Sequence, residues 1–376
     1  MIVGILKEPE HDNRVSILPD GITALKKLGY GILVEKGAGE RAYASDQEYL
    51  AAGAEIADRQ GVISRSDILL MINPPLNDDM SLFREGQVIC SVLNPVVNSS
   101  WLSSAKERRL TVLALDMIPR ITRAQAMDVL SSMATVSGYK AVLEAASLLP
   151  RFFPMFMTAA GTIKPAKVLI LGAGVAGLQA LAIARKLGAV VEVFDVRSAV
   201  KEEVKSLGGK FIEVEGARED ASAGGYAVEQ PEEFAARQME LIHKHAIVSD
   251  VIIATAMIPG KKAPLLLKKE TVVSMKPGSV IVDLAASGGG NCECTVNGKT
   301  LELNGVRIIG RSDYPSSMPT DASRMFGNNI TNLLKIMTGK NAELNLDMND
   351  EIIKGTTAVH DGDYVSDRVK QLLNIN

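Results

Sequence analysis

A glycine-rich turn between an apolar run and a helical run is the feature that most constrains this chain. Residues 172–177 read GAGVAG, preceded by KVLIL and followed by LQALAIARKLG. In a G-x-G-x-x-G turn, the three glycines permit a tight turn, close approach of a pyrophosphate, and close packing of the helix on the strand. The start of the helix then presents N–H groups to the phosphates. The motif predicts a dinucleotide-binding turn, and a turn that serves packing alone is the simpler alternative.

A carboxylate follows the turn at a suitable distance. The next apolar run, VVEVFD, ends in Asp195, 18 residues after Gly177. A carboxylate there can accept hydrogen bonds from the adenosine ribose hydroxyls and would repel a 2′-phosphate, which favours NAD. Arg197, two residues further on, could instead attract the 2′-phosphate of NADP. The sequence favours NAD and leaves NADP open.

The rest of the chain repeats this alternation of an apolar run and a helical stretch. Apolar runs rich in Val, Ile and Leu alternate with stretches of helical period, which is typical of parallel strands with helices on both faces. The apolar runs predict strands at 2–6, 32–35, 68–72, 88–92, 111–115, 168–171, 190–194, 211–214, 251–254, 280–284 and 306–309. The intervening segment 120–154 has no interior proline before Pro150 and predicts one long connecting helix.

The length of the chain indicates two domains. It has 376 residues, about two and a half times the ~150 residues of a typical domain. We therefore predict an α/β protein with two Rossmann-like, doubly wound parallel-sheet domains joined by a long helix. The first would span 1–130, completed by 312–376, and the second, 131–311, would bind NAD(H).

Composition excludes several classes of protein. The net charge of -3 offers no basic excess for a nucleic-acid backbone, so we expect no nucleic-acid partner. Three cysteines in so long a chain cannot form a disulfide framework, which favours a reducing compartment such as the cytoplasm. The apolar run 168–184 imitates a membrane helix, but its spaced glycines divide it into strand, turn and helix.

Side chains suited to proton transfer are scarce. A dehydrogenase that acts on a hydroxy or amino acid normally needs a histidine or lysine as general acid/base. The four histidines, His11, His243, His245 and His360, are predicted to be solvated surface residues. Cys292 and Cys294 have no further Cys or His nearby, so no metal site is predicted.

Two polar segments remain ambiguous. Arg120, Gln125, Asp128 and Ser131 could hold the carboxamide and ribose of a nicotinamide nucleotide, or could cap a helix at a domain junction. Residues 215–233 are acidic and rich in Gly and Ala, with Tyr226 as their one aromatic residue. They are either a disordered surface loop or a mobile lid over a ligand.

Together with its glycine turn, these segments make the chain resemble a known family, the nucleotide-binding domain I, or alpha subunit, of proton-translocating NAD(P) transhydrogenases. The segments PRITRAQAMDVLSS, MTAAGTIKPAKVLILGAGVAGLQA, GGYA and TAMIPGKKAP carry the resemblance, together with MKPGSVIVDLAASGGGNCE and the initial GILKEPE. The similarity runs from the first residue to about residue 340.

The resemblance implies direct, Re/Si-specific hydride transfer from NADH on this chain to NADP⁺ on a separate domain III of the beta subunit. A membrane domain II would couple the transfer to proton translocation. The chain would be a homodimer on the cytoplasmic side of the bacterial inner membrane. Hydride transfer between two nicotinamides removes no substrate proton, which would explain the missing acid/base.

The resemblance also assigns site residues. Arg120, Gln125, Asp128 and Ser131 would hold the nicotinamide end, and Gln125 would face the partner nucleotide. The implied NAD(H) ligands are Arg120, Gln125, Ala126, Met127, Asp128, Gly172, Ala173, Gly174, Val175, Gly177, Asp195, Val196, Arg197, Gly225, Tyr226, Gln238 and Met257. Of these, Gly225 and Tyr226 would belong to a closing loop.

The related alanine dehydrogenases are the main alternative. Arg14 matches their carboxylate-binding arginine, whereas Asn73 and Asn94 stand where that family has its substrate lysine and catalytic histidine. An asparagine cannot shuttle a proton, so amino-acid oxidation is not expected. A sensor subunit that binds NAD(H) without turnover is the non-enzymatic alternative.

Overall fold

The computed structural model describes residues 1–214, 232–258, 261–339 and 343–375. The chain divides into two compact units, one made of Met1–Met133 with Pro315–Asn376 and the other of Ala134–Tyr314. Each predicted domain boundary lies three residues before the observed one.

The strands of the described residues follow in chain order: β1 (Ile2–Ile5), β2 (Gly31–Glu35), β3 (Glu55–Ala57), β4 (Ile68–Leu70), β5 (Val88–Ser91), β6 (Thr111–Ala114), β7 (Phe156–Thr158), β8 (Gly161–Ile163), β9 (Lys167–Leu171), β10 (Val190–Phe194), β11 (Lys210–Ile212), β12 (Val251–Ala254), β13 (Val280–Asp283), β14 (Lys299–Leu303), β15 (Val306–Gly310), β16 (Thr357–His360) and β17 (Asp363–Tyr364).

The α-helices are α1 (Pro19–Lys27), α2 (Asp46–Ala51), α3 (Arg59–Arg65), α4 (Ser99–Glu107), α5 (Val129–Leu148), α6 (Val175–Lys186), α7 (Lys201–Ser206), α8 (Glu232–Ala246), α9 (Lys269–Val273), α10 (Pro319–Met337), α11 (Glu351–Thr356) and α12 (Asp367–Leu372). Short 3-10 helices connect several of them, including one at Thr122–Met127.

The first unit is built on a sheet of order β17-β16-β6-β5-β4-β1-β2-β3. Strands β1 to β6 are parallel and lie in the doubly wound order 3-2-1-4-5-6. Strands β4 and β5 are buried throughout, as expected when helices cover both faces of a sheet. β16 returns from the end of the chain and pairs antiparallel with β6.

The second unit repeats this architecture in the order β11-β10-β9-β12-β13-β15-β14. All its neighbours are parallel except β14, which pairs antiparallel with β15 at the edge. A separate hairpin joins β7 and β8. The predicted fold class, two doubly wound α/β units, is confirmed. In such sheets, ligands bind at the carboxyl ends of the strands where the strand order reverses, here beside β9 and β12.

The prediction of one helix over 120–154 is wrong at both ends, since α5 also stops at Leu148, two residues before Pro150. Residues Thr122–Met127 form a 3-10 helix, and α5 begins only at Val129. Asp128 interrupts the helix because its backbone is extended, with ψ 92°, while its carboxylate accepts hydrogen bonds from Ser131. An acidic residue in this conformation ends one segment and caps the next.

Within the described ranges, no helix is both long and apolar enough to cross a membrane.

Candidate functional site

The glycine turn has the backbone geometry that a dinucleotide needs. Gly172 follows β9 with φ +103°, a conformation that favours glycine. A Cβ on Gly177 would lie 1.8 Å from the carbonyl oxygen of Gly172, so only glycine allows helix α6 to pack here. A Cβ on Gly174 would meet no atom within 4 Å. Open space therefore lies over the turn where a phosphate would approach.

The start of α6 is left without a side-chain cap. Gly174 is its N-cap residue and contributes no side chain, and Val175 at its first position is 40% exposed. The uncapped N–H groups and the positive end of the helix dipole favour an anion at this position. The residues present thus fit the pyrophosphate of a dinucleotide.

Asp195 lies against the same turn. It follows β10, is buried, and accepts a hydrogen bond from the backbone N–H of Ala173 at 2.6 Å. Arg197 donates to both of its oxygens, from Nε at 2.9 Å and from Nη2 at 2.8 Å. Its backbone N–H adds a fourth hydrogen bond, at 2.9 Å. The Asp195 carboxylate thus accepts four hydrogen bonds, and the charges of the Asp195 and Arg197 side chains compensate each other.

The remaining predicted residues of the second unit lie on other elements. Val196 is half-buried between Asp195 and Arg197, and Gln238 is buried on α8. Met257 is 52% exposed in the loop after β12, the strand that pairs with β9. The predicted lid residues Gly225 and Tyr226 lie outside the described residues.

In the first unit, the 3-10 helix Thr122–Met127 presents Gln125 from an anchored support. Ala124 and Met127 are buried in the core, whereas Gln125 and Ala126 are exposed. Arg123 forms a two-point ion pair with Asp350, with N–O distances of 2.7 and 2.9 Å. The side chains on either side of Gln125 therefore fix the turn that carries it.

Two asparagines that the sequence analysis missed complete this support. Asn329 and Asn332 of α10 donate to the carbonyl oxygen of Ala126 at 2.9 and 3.2 Å. They are 203 and 206 residues from Ala126 in the sequence, so no local motif could have indicated them.

Asp128 and Ser131 form the cap of α5. The Asp128 carboxylate accepts from the Ser131 N–H at 2.9 Å and from the Ser131 hydroxyl at 2.6 Å. Arg120 lies nearby in the sequence with an exposed side chain. Asp128 and Ser131 thus contact each other at the start of α5, whereas the Gln125 side chain is exposed on the preceding 3-10 helix.

Comparison with known proteins gives the chain its family. The model of the alanine dehydrogenase/PNT N-terminal domain matches residues 4–137, and that of the C-terminal domain matches residues 141–367. NAD(P) transhydrogenase subunit alpha of Haemophilus influenzae is 45% identical over 97% of this chain and 72% of its own length. The chain belongs to the NAD(P) transhydrogenase alpha-subunit family.

Further relatives support membership of the same family. An NAD(P) transhydrogenase alpha-subunit chain of Rhodospirillum rubrum is 43% identical over 94% of both chains. A crystal structure of transhydrogenase from Sinorhizobium meliloti superposes with a TM-score of 0.88 at 41% identity, covering 97% of this chain and 100% of that one. Alanine dehydrogenase of Methanococcus maripaludis is more distant, at 26% identity over 96% of this chain and 93% of its own.

Two of the three alanine dehydrogenase positions, Arg14 and Asn73, belong to one hydrogen-bond network in this chain. Arg14 donates to both oxygens of Asp12, at 2.9 and 2.5 Å. The Asn73 amide donates to Asp12 and to the buried Glu8, both at 2.9 Å. Asn94 is exposed, and its backbone N–H donates to Asp116. The Arg14 guanidinium is thus already paired with a carboxylate.

The pKa values of the two acidic residues in this network, Glu8 and Asp12, are shifted in opposite directions. Burial raises the pKa of Glu8 above its usual value, against the hydrogen bonds from Ile72 and Asn73. Burial acts in the same sense on Asp12, but hydrogen bonds and charge from Arg14 outweigh it and hold the pKa of that carboxyl below its usual value.

The histidines are less solvated than predicted. Three of them are half-buried and have partners: His243 with Thr271, His245 with Glu192 and His360 with Thr111. Cys90 and Cys292 are buried, which raises the pKa of each thiol to about 12. Among the described residues, no three His, Cys, Asp or Glu side chains are placed to share a metal ion.

Proposed function

We propose that this chain is the NAD(H)-binding subunit of a proton-translocating transhydrogenase, transferring hydride directly between NADH and NADP⁺ bound on a separate domain III. One observation carries the proposal: a turn shaped for a dinucleotide occurs in a chain whose Arg14 and Asn73 are engaged with Asp12. A dehydrogenase of the alanine type needs those positions for substrate and proton. Membership of the transhydrogenase alpha-subunit family supports the same conclusion.

The second unit would hold the adenosine and pyrophosphate portions of NAD(H). Ala173, Gly174 and Val175 would line the pyrophosphate over the open space at Gly174. Asp195, with Val196 and Arg197, would receive the adenosine ribose. Because the Arg197 guanidinium is already paired with Asp195, it offers little net charge to a 2′-phosphate, which supports NAD over NADP.

The nicotinamide portion would be held by Arg120, Gln125, Asp128 and Ser131. Bound NADH supplies the hydride, and the role of these residues is to bind and orient the ring. Fixed positioning of two reactants is itself a large catalytic effect. The anchored turn that carries Gln125 supports this role. Gly225, Tyr226, Gln238 and Met257 stay proposed contacts of the same cofactor.

The partners belong to the same proposal. The relatives are named as alpha subunits, which supports partner subunits for this chain. These would be a membrane domain II and an NADP(H)-binding domain III of the beta subunit. The chain would act as a homodimer on the cytoplasmic face of the bacterial inner membrane.

One set of assays tests this proposal. We expect the purified chain to bind NADH more tightly than NADPH, with binding followed by NADH fluorescence. We expect no NADH oxidation with pyruvate and ammonia. Mixed with a purified domain III, the chain should transfer hydride from NADH to an NADP⁺ analogue.

Three outcomes would contradict the proposal in different ways. NADH oxidation that depends on pyruvate and ammonia would establish an amino-acid dehydrogenase. Binding of NADH without transfer in the mixture would favour a sensor subunit. Equal affinity for NADH and NADPH would contradict the role given to the Asp195–Arg197 pair.

A further inference from the structure

The glycine turn is packed against the loop that follows β12. The Thr255 hydroxyl donates to the carbonyl oxygen of Gly172 at 3.0 Å, and the Thr255 backbone N–H donates to that of Leu171 at 2.8 Å. A Cβ on Gly172 would lie 2.7 Å from the Thr255 hydroxyl and 3.1 Å from the Ala256 nitrogen. The two segments touch without space to spare, so the position of the loop fixes the position of the turn.

The Asn291 side chain holds this loop through three hydrogen bonds. Its side-chain oxygen accepts from the Ala256 N–H at 2.9 Å. Its amide nitrogen donates to the carbonyl oxygens of Ala256 and Pro264, both at 2.8 Å. The residue is fully buried. Both amide hydrogens and the carbonyl oxygen are therefore used, a combination that neither a carboxylate nor an apolar side chain can reproduce.

Asn291 is itself fixed by a buried carboxylate. Asp283, the last residue of β13, accepts from the Asn291 N–H at 2.8 Å. It also accepts from the Cys292 N–H at 3.0 Å and from the Thr295 hydroxyl at 2.7 Å. A Cβ on Gly290 would lie 2.9 Å from this carboxylate. The end of β13 is thus connected, through Asn291 and the loop after β12, to the glycine turn.

We propose that Asn291 is a positioning residue of the dinucleotide site, an inference that rests on the proposed NAD(H) binding. Asn291 does not touch the cofactor. It fixes Ala256, which places Thr255 against the Gly172 carbonyl and so holds the turn and the start of α6 in the orientation that receives the pyrophosphate. Precise geometry of this kind depends on such supporting hydrogen bonds.

The test replaces Asn291 without changing its size. In Asn291→Asp, a carboxylate faces the carbonyl oxygens of Ala256 and Pro264, so we expect the Kd for NADH to rise about tenfold or more. Amide hydrogen exchange should accelerate over residues 171–178, 254–258 and 261–267, and stay unchanged over 190–194 and 210–212.

A matched control loses a buried side-chain bond at the other end of β12. Ser249→Ala removes the hydrogen bond from the Ser249 hydroxyl to the His245 carbonyl oxygen, 2.7 Å long. Its Kd for NADH should stay within about twofold of wild type, even where its Tm falls. A loss of binding that follows Tm in both variants would overturn the positioning role.

A second pair keeps the inference testable if Asn291→Asp does not fold. Thr255→Val removes the hydroxyl with little change of shape and should weaken NADH binding. Thr255→Ser keeps the hydroxyl and should bind NADH as the wild type does. A wild-type Kd for NADH in Asn291→Asp, or in Thr255→Val where Asn291→Asp does not fold, would overturn the inference and leave the proposed function intact. Absence of NADH binding by the wild-type chain would instead overturn the proposed function.

Discussion

At the scale of single residues, Asp12 is the hydrogen-bond acceptor that joins Arg14 and Asn73 in the amino-terminal network. It receives the Arg14 guanidinium and the Asn73 amide, and its side chain is only 4% exposed. Arg14, also largely buried, has its charge compensated there. A buried ion pair adds little by itself, but removal of one partner is costly because the other charge is left uncompensated.

The Asp12 carboxylate gives a pH-dependent prediction. Its folded pKa lies below the unfolded value of 3.8, so its stabilisation is complete above that pH and is lost as pH falls through the folded pKa. We expect Asp12→Asn to lower the free energy of unfolding by about 3 kcal/mol near neutral pH. The difference from wild type should shrink below pH 3.8, measured by urea unfolding.

A surface ion pair provides the control for this change. Glu55 pairs with Arg65 in an exposed position, so Glu55→Gln removes the same charge with a far smaller effect. A difference between wild type and Asp12→Asn that stays constant from neutral to acid pH would show that Arg14 does not depress the pKa of Asp12.

At the scale of elements, the strands that the sequence predicts differ in burial from those that it misses. The predicted strands lie in parallel sheets, where Val and Ile runs are covered on both faces. The missed hairpin β7–β8 has strands of only three residues each, exposed along their length, which are too short to show a periodic pattern. β16 has four residues and pairs with the short neighbouring β17, and also, with a register shift, with β6, which is more than 240 residues away in the sequence. Tertiary pairing, rather than local pattern, makes it a strand.

The candidate site divides in the same manner. The glycine turn and Asp195 lie within one strand–helix–strand unit, so spacing alone predicts them. Asn291 is 35 residues from Ala256, and Asn329 is 203 residues from Ala126. Such supporting residues are ordinary asparagines until folding brings their partners within hydrogen-bond distance.

The anchored 3-10 helix Thr122–Met127 gives a prediction at this scale. Because its flanking residues are held by the core, Asp350 and α10, shortening the Gln125 side chain should leave the turn intact. We expect Gln125→Asn to slow hydride transfer at least tenfold in single-turnover mixing with domain III, and to change the Kd for NADH less than threefold.

Gln371→Asn, a change of an exposed glutamine on α12, is the matched control and should alter neither quantity. Equal losses of transfer and NADH affinity in Gln125→Asn would indicate that Gln125 contributes binding alone.

At the scale of the whole molecule, the first unit is assembled from two separate stretches of chain. Residues 1–133 supply the parallel strands, and the stretch after Tyr314 supplies α10, α11 and β16. Phe326, Ile330 and Leu334 of α10 lie in the same core as Val3 and Ile5 of β1. The second unit, in contrast, is one continuous stretch with its own core clusters.

This division predicts different behaviour of fragments. A fragment of residues 129–314, which retains all of α5, should unfold cooperatively on its own when followed by circular dichroism. A fragment of residues 1–133 should not, because the core that α10 fills would stay open to water. Addition of a separate 315–376 peptide should restore a cooperative transition, and a cooperative transition of 1–133 alone would contradict this expectation.

The divided first unit has a consequence for synthesis on the ribosome. Its amino-terminal stretch leaves the exit tunnel first, yet it cannot complete its sheet until the segment after Tyr314 has been translated. At ~5–20 residues per second, that delay is on the order of 10 to 40 s, long enough for the second unit to fold first. During this interval, the apolar face that α10 will cover is exposed to water. That face would then be a binding site for a chaperone that acts on nascent chains.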